Sequence, residues 1–234
     1  MGIMNTKRKV AIFDIDGTIF RSSLLIEIVE ELINQNVFPT ASRKEYEKEY
    51  KNWLNREDSY EKYIEAIVKV FMKYLRGIPY ADFMRVSETV VERNKGKVYR
   101  YTRNLIKELK KKGYFLLAIS QSPKGALDVF CRSLGFNKVY GRVYELGAQD
   151  KFTGEVIDLH LIANKANIVR RALEKNNLTL RGSVAVGDTE GDIPMLELVE
   201  KAICFNPNQK LYKYAKLNKW KVVVERKDVI YEIR

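Results

Sequence analysis

Two carboxylates two residues apart, Asp14 and Asp16, follow the apolar run Val10-Ala11-Ile12-Phe13 and precede Gly17-Thr18. A short apolar run of this kind reads as a strand covered on both faces, as in a parallel sheet whose carboxyl edge opens into a crevice. On extended backbone, side chains two apart point the same way, so both acids are aimed at one place. Gly17 lets the chain turn immediately afterwards. Alone, the motif also fits a strand followed by an Asp-Gly turn with solvated acids. Two more apolar runs end in polar groups: residues 114–120 close on Ser120, and 183–186 run into Gly187-Asp188, with Asp192 four residues on. In a parallel sheet these ends share one edge, and residues distant in sequence meet there. Asp192 also reads as a helix cap, with Pro194 in the first turn.

Gathering Asp14, Asp188 and Asp192 creates a charge problem, because carboxylates ~4 Å apart repel by about 4 kcal/mol per pair at an effective dielectric near 20. A cation must sit among them. Mg²⁺ suits the donors, since it takes a few carboxylates plus water and phosphate oxygens, and no soft ligands are offered. Lys165, at the start of the helix preceding the Asp188 strand, is placed to add a further positive charge.

The elements that must position these groups follow from periodicity. Leu25, Ile28, Val29, Leu32 and Ile33 recur at helical spacing behind Ser22 and Ser23, which are suited to cap the first turn. Tyr46, Tyr50 and Trp53 mark a second helix with an aromatic stripe, read as packing rather than as a binding surface. A third helix, capped by Asp58 or Ser59, carries Tyr60, Ile64, Ile67, Phe71 and Tyr74, and a fourth runs over about 81–94. The flanking chain alternates strand and helix, with strands over 114–120, 138–146, 152–157, 183–186, 202–205 and 221–224. The pair 138–146 and 152–157 has the spacing of a hairpin. The fold class is therefore α/β: a Rossmann-like parallel sheet flanked by helices, formed by 1–19 and 97–234, with an all-helical insertion over 20–96.

The chain has 234 residues, 46% of them hydrophobic and 31% charged, which suits a folded domain with a substantial core. Its net charge of +12 favours anionic partners such as phosphorylated small molecules, nucleic acid or an acidic surface. Cys131 and Cys204 read as two buried thiols in a reducing compartment, and a single histidine, His160, argues against histidine-based triads and zinc sites. His160 lies between Leu159 and Leu161 and reads as structural. No apolar run reaches the ~18 residues of a membrane span, so a cytoplasmic location is expected. Gly2 falls in a short pattern compatible with myristoylation. Lys210, Lys213, Lys216, Lys219 and Lys221 read as a solvated basic face without a nucleic-acid-binding motif.

Asp14-Ile15-Asp16-Gly17-Thr18, Ser120 closing an apolar strand, Lys165, and Gly187-Asp188 with Asp192 resemble the four ordered motifs of the haloacid dehalogenase superfamily of phosphohydrolases. The helical insertion resembles the cap of its phosphoserine phosphatase-like branch. The resemblance implies that Asp14 is a nucleophile forming an aspartyl-phosphate and that Asp16 is the acid and base. It implies that Thr18, Ser120 and Lys165 hold the phosphoryl group, with Mg²⁺ held by Asp14, Asp16 through its carbonyl, Asp188 and Asp192. The expected reaction is Mg²⁺-dependent hydrolysis of a small phosphorylated metabolite. Two alternatives are transfer to an alcohol acceptor and a basic nucleic-acid-binding protein with a vestigial site. The phosphoserine branch carries a glutamate where this chain has Ser23, and Gly-Gly where it has Gln121-Ser122, so phosphoserine itself is not favoured. Substrate contacts are expected from Arg21, Ser22, Ser23 and Gln121.

Overall fold

The computed structural model describes residues 7–159 and 163–233; Gly2 and His160 lie outside the described residues. Eight strands form one sheet: β1 (Arg8–Phe13), β2 (Phe115–Pro123), β3 (Lys138–Leu146), β4 (Phe152–Ile157), β5 (Leu178–Gly187), β6 (Lys201–Phe205), β7 (Lys221–Arg226) and β8 (Val229–Ile233). Their order is β4-β3-β2-β1-β5-β6-β7-β8. The six inner strands are parallel, and β4 and β8 add antiparallel edges.

The register explains how distant polar groups meet. Phe13 of β1 pairs with Ala118 of β2 and with Val186 of β5, so the residues just beyond these positions emerge at one level of the sheet edge. The Asp14 N–H continues the ladder by donating to the Val186 carbonyl at 3.0 Å.

Side chains along β1 alternate between two buried faces. Ala11 and Phe13 join one apolar cluster, while Val10 and Ile12 join the other. On the first face lie the helices α1 (Leu24–Asn34), α2 (Glu47–Leu54), α3 (Tyr60–Leu75) and α4 (Tyr80–Asn94), together with α5 (Arg100–Lys111) and α6 (Lys124–Leu134). Phe20, Leu24 and Ile28 share this cluster with Phe13, Leu116 and Phe130, so the helical insertion and the sheet are joined by continuous apolar packing. On the second face, α7 (Lys165–Lys175) and α8 (Gln209–Leu217) bury Ile168, Val169, Ala172, Leu211 and Ala215.

Three local expectations change. Ser23 occupies the N-cap position of α1, but its side chain makes no capping bond. The Leu24 N–H donates instead to Asp16 Oδ1 at 2.6 Å, because the loop after β1 carries that carboxylate back to the helix start. The sheet does not end at β7: Lys227 takes a left-handed φ of 54° and turns the chain into β8, a turn with no glycine to signal it. Tyr46 sits at the junction between a 3₁₀ segment, Thr40–Glu45, and α2 rather than inside one helix. The Ser59 cap of α3 is formed, and β3 and β4 pair as the expected hairpin.

Candidate active site

The loops leaving β1 and β5, together with the end of β2 and the start of α7, place seven of the sequence-predicted residues in one cluster. At its centre the Lys165 ammonium donates to Asp14 Oδ1 and to Asp192 Oδ1, each at 2.5 Å. Lys165 is the first residue of α7, whose start is capped by Asn164 accepting from the Ala166 N–H. Asp192 Oδ2 accepts from the main-chain N–H groups of Asp188 and Thr189 at 2.9 and 3.1 Å. Asp192 thus folds the loop after β5 in a capping box with Thr189, instead of capping the short helix Ile193–Leu196 with its side chain.

Asp16 stands apart from that ion pair network. Its Oδ2 accepts from the hydroxyls of Ser120 at 2.6 Å and Ser122 at 2.8 Å, while Oδ1 holds the start of α1. Ser120 in turn accepts from the Ser122 N–H. Thr18 donates to Asp188 Oδ1 at 3.1 Å. Gly17 has φ +78°, and a Cβ built there would lie 2.1 Å from Asp188 Oδ2. The chain crosses so close to the carboxylate that a side chain would crowd it, which is the reason for glycine at this turn.

The electrostatics follow from burial. Asp14 is only 6% exposed, and burial pushes its carboxyl up to about 7, opposed by Lys165 and reinforced by Asp192 and Asp16. Asp188 is also pushed well above the usual carboxylate range by burial and by the Asp14 and Asp192 charges. Lys165 is buried too, but the two carboxylates outweigh that penalty and hold its ammonium charged. Asp14, Asp188 and Asp192 each offer an oxygen, and these oxygens lie within 4.8 Å of one another. One lysine among three acids leaves negative charge uncompensated, and an all-oxygen set of this size fits a hard divalent cation.

A cavity of about 730 Å³ opens beside this cluster. Gly17, which packs against Asp188, places one end of it at the cluster, and Arg21, Ser22, Tyr99 and, from α1, Ile26, Glu27 and Glu30 line it as well. Tyr46, Tyr50 and Trp53 complete the lining with Tyr60 and Tyr63 of α3. The aromatic stripe read as packing therefore does both jobs. Trp53 stacks on Tyr63 with centroids 5.5 Å apart, and the outer rings of the group face the cavity. Burial and the nearby Asp16 and Asp188 carboxylates push the Tyr60 phenol up, which places this ring within electrostatic reach of the acids.

Of the four expected substrate contacts, Arg21 and Ser22 line the cavity. Ser23 is buried at the start of α1 and does not line it, and Gln121 is turned to Arg142, which donates to its amide oxygen at 2.6 Å. Sequence reasoning missed Ser122, Glu27, Glu30 and Tyr99. Only Glu27 and Glu30 carried a usable signal, as acids three apart on a helix otherwise read for its apolar face.

The model of the haloacid dehalogenase-like hydrolases matches residues 11–197. A phosphoserine phosphatase of Mycobacterium tuberculosis is 24% identical over 216 residues, covering 91% of this chain and 69% of that protein. A histidinol-phosphatase of Neisseria meningitidis is 24% identical over 224 residues, covering 92% and 98%. Among solved structures, a protein of unknown function from Bordetella pertussis superposes with a TM-score of 0.73 at 17% identity, covering 93% and 98%. A substrate-bound phosphoserine phosphatase superposes with a TM-score of 0.65 at 22% identity, covering 96% of each chain. The matched segment takes in all four acids of the cluster, and with it the chain belongs to the haloacid dehalogenase-like hydrolases.

Proposed function

We propose that this protein is a Mg²⁺-dependent phosphomonoesterase that hydrolyses a small phosphorylated metabolite through an aspartyl-phosphate on Asp14. The observation carrying this reading is the division of labour between two neighbouring acids. Asp14 is bound to Lys165 within the acid cluster, while Asp16 is held apart by Ser120, Ser122 and the start of α1. The relatives named as phosphoserine phosphatase and histidinol-phosphatase support phosphate ester hydrolysis.

In this reading an Asp14 oxygen attacks phosphorus, the ester P–O bond breaks, and Asp16 gives its proton to the departing alcohol oxygen. Asp16 then takes a proton from water as that water attacks the phosphoryl group, releasing inorganic phosphate and the Asp14 carboxylate. Lys165 spends two of its three N–H donors on Asp14 and Asp192, and the third is available to a phosphoryl oxygen. The Ser120 and Thr18 hydroxyls, which donate to Asp16 and Asp188 in the free site, would turn to the phosphoryl oxygens and complete the cradle. Asp14, Asp188 and Asp192 with the Asp16 carbonyl would hold Mg²⁺, which supplies the positive charge that lets an anionic nucleophile meet an anionic phosphate. The test is Asp14→Asn assayed for phosphate release with Mg²⁺. Turnover is expected to vanish while the circular dichroism spectrum is kept, and substantial residual turnover overturns the assignment.

A further inference from the structure

We propose that Ser122 is a positioning residue for proton delivery, holding the Asp16 carboxyl group in place when the Ser120 hydroxyl leaves it for the phosphoryl group. The proposal rests on the phosphatase reading and adds a residue to its proton-transfer step.

In the free site Asp16 Oδ1 accepts from the Leu24 N–H, and Oδ2 accepts from Ser120 at 2.6 Å and from Ser122 at 2.8 Å. The two hydroxyls occupy both lone pairs of Oδ2. A hydroxyl has one proton to give, so Ser120 cannot donate to Asp16 and to a phosphoryl oxygen together. Its turn to the substrate therefore releases one lone pair of Oδ2. The proton that Asp16 passes to the departing alcohol oxygen is held there. Ser122 and the Leu24 N–H then remain, one donor on each carboxyl oxygen. Those two bonds fix the plane of the group, and with it the direction in which the proton leaves.

Ser120 and Ser122 stand two apart at the end of β2, and both side chains turn to the same acid. The Ser122 N–H donates to Ser120 Oγ at 2.9 Å, so the Ser120 oxygen keeps its place while its proton swings to the substrate. Ser122 is 3% exposed, and water is poorly placed to replace its hydroxyl. Ser122→Ala deletes that hydroxyl alone, because the main-chain bond to Ser120 stays.

The experiment measures kcat/KM with saturating Mg²⁺ on benzyl phosphate, whose alcohol needs a proton to leave, and on p-nitrophenyl phosphate, whose phenolate does not. Ser122→Ala is expected to lose at least about tenfold on benzyl phosphate and less than about threefold on p-nitrophenyl phosphate. The ratio of the two is independent of the fraction of active protein, so partial misfolding does not imitate it. Ser122→Gly removes the same hydroxyl and is expected to give the same ratio. In an Asp16→Asn background, Ser122→Ala is expected to leave the ratio unchanged, because the group it positions no longer carries a proton for the alcohol. Equal losses on both esters, no loss on either, or a further change of ratio in the Asp16→Asn background overturns the inference while the phosphatase reading stands. A wild type that hydrolyses p-nitrophenyl phosphate but not benzyl phosphate also overturns it alone. Absence of p-nitrophenyl phosphate hydrolysis overturns both.

Discussion

Replacing Lys165 by methionine removes one positive charge from the centre of three carboxylates while keeping most of the side-chain volume. Lys165 is 6% exposed, and both of its 2.5 Å partners, Asp14 and Asp192, are buried as well. Removing one member of a buried pair strands the other, at a cost of about 3–5 kcal/mol. For a domain of this size each kcal/mol moves the melting temperature by about 2–4 °C, so a drop of roughly 6–20 °C is expected in EDTA. The pH dependence has a definite sign. Asp14 already titrates near 7 in the folded chain against 3.8 ordinarily, so between those values the folded state binds the extra proton and stability falls as pH rises. Without Lys165 the carboxyl moves higher still, and the deficit of Lys165→Met relative to wild type should be largest near pH 8 and shrink toward pH 5. Added Mg²⁺ should recover part of it by restoring positive charge at the same oxygens. Scanning calorimetry of both proteins at several pH values, with and without Mg²⁺, measures all three effects. A variant melting within about 2 °C of wild type in EDTA at pH 8 would refute the view that Lys165 neutralises the cluster.

Asp16→Asn should reduce kcat/KM for alkyl phosphates by about 10²–10⁴-fold but for p-nitrophenyl phosphate less, because kcat/KM reports the step in which the alcohol departs and the phenolate leaves without a proton; equal losses in kcat/KM would contradict the acid role. In the wild type, the rise in melting temperature on adding Mg²⁺ should be greater at pH 8 than at pH 5.5, since below about 7 protons compete for Asp14, and a flat pH profile would count against Asp14 as a ligand. Burial pushes the Cys204 thiol up to about 12 and Cys131 well above its ordinary range, so neither should react with a thiol reagent at pH 8 until the protein is denatured; rapid labelling of the native chain would show that one is accessible.

The acid cluster was legible because its information is local and chemical. Asp14, Asp16, Ser120, Asp188 and Asp192 each end or follow an apolar strand, and parallel pairing leaves such ends one edge to share. The hairpin of β3 and β4 was equally plain, since both strands and their turn lie within twenty residues. Features that depend on packing were less visible. The Lys227 turn into β8 adopts a left-handed backbone without glycine, so no residue type announced it. Ser23 stands where a cap is expected, yet its side chain makes no capping bond, and tertiary closure of the loop after β1 brings the Asp16 carboxylate to the Leu24 N–H at the helix start.

The sequence by itself determined which residues are chemically equipped, through strand ends, glycine turns and the order of the motifs. Only the tertiary structure decided how they are shared out. It bound Lys165 to Asp14 and Asp192, gave Ser120 and Ser122 to Asp16, and turned Gln121 away to Arg142. It also converted an aromatic stripe and two glutamates, on separate helices, into the walls of one cavity. Periodicity reports which face of a helix is buried, whereas the neighbour that face meets is set by side-chain packing across elements far apart in the chain.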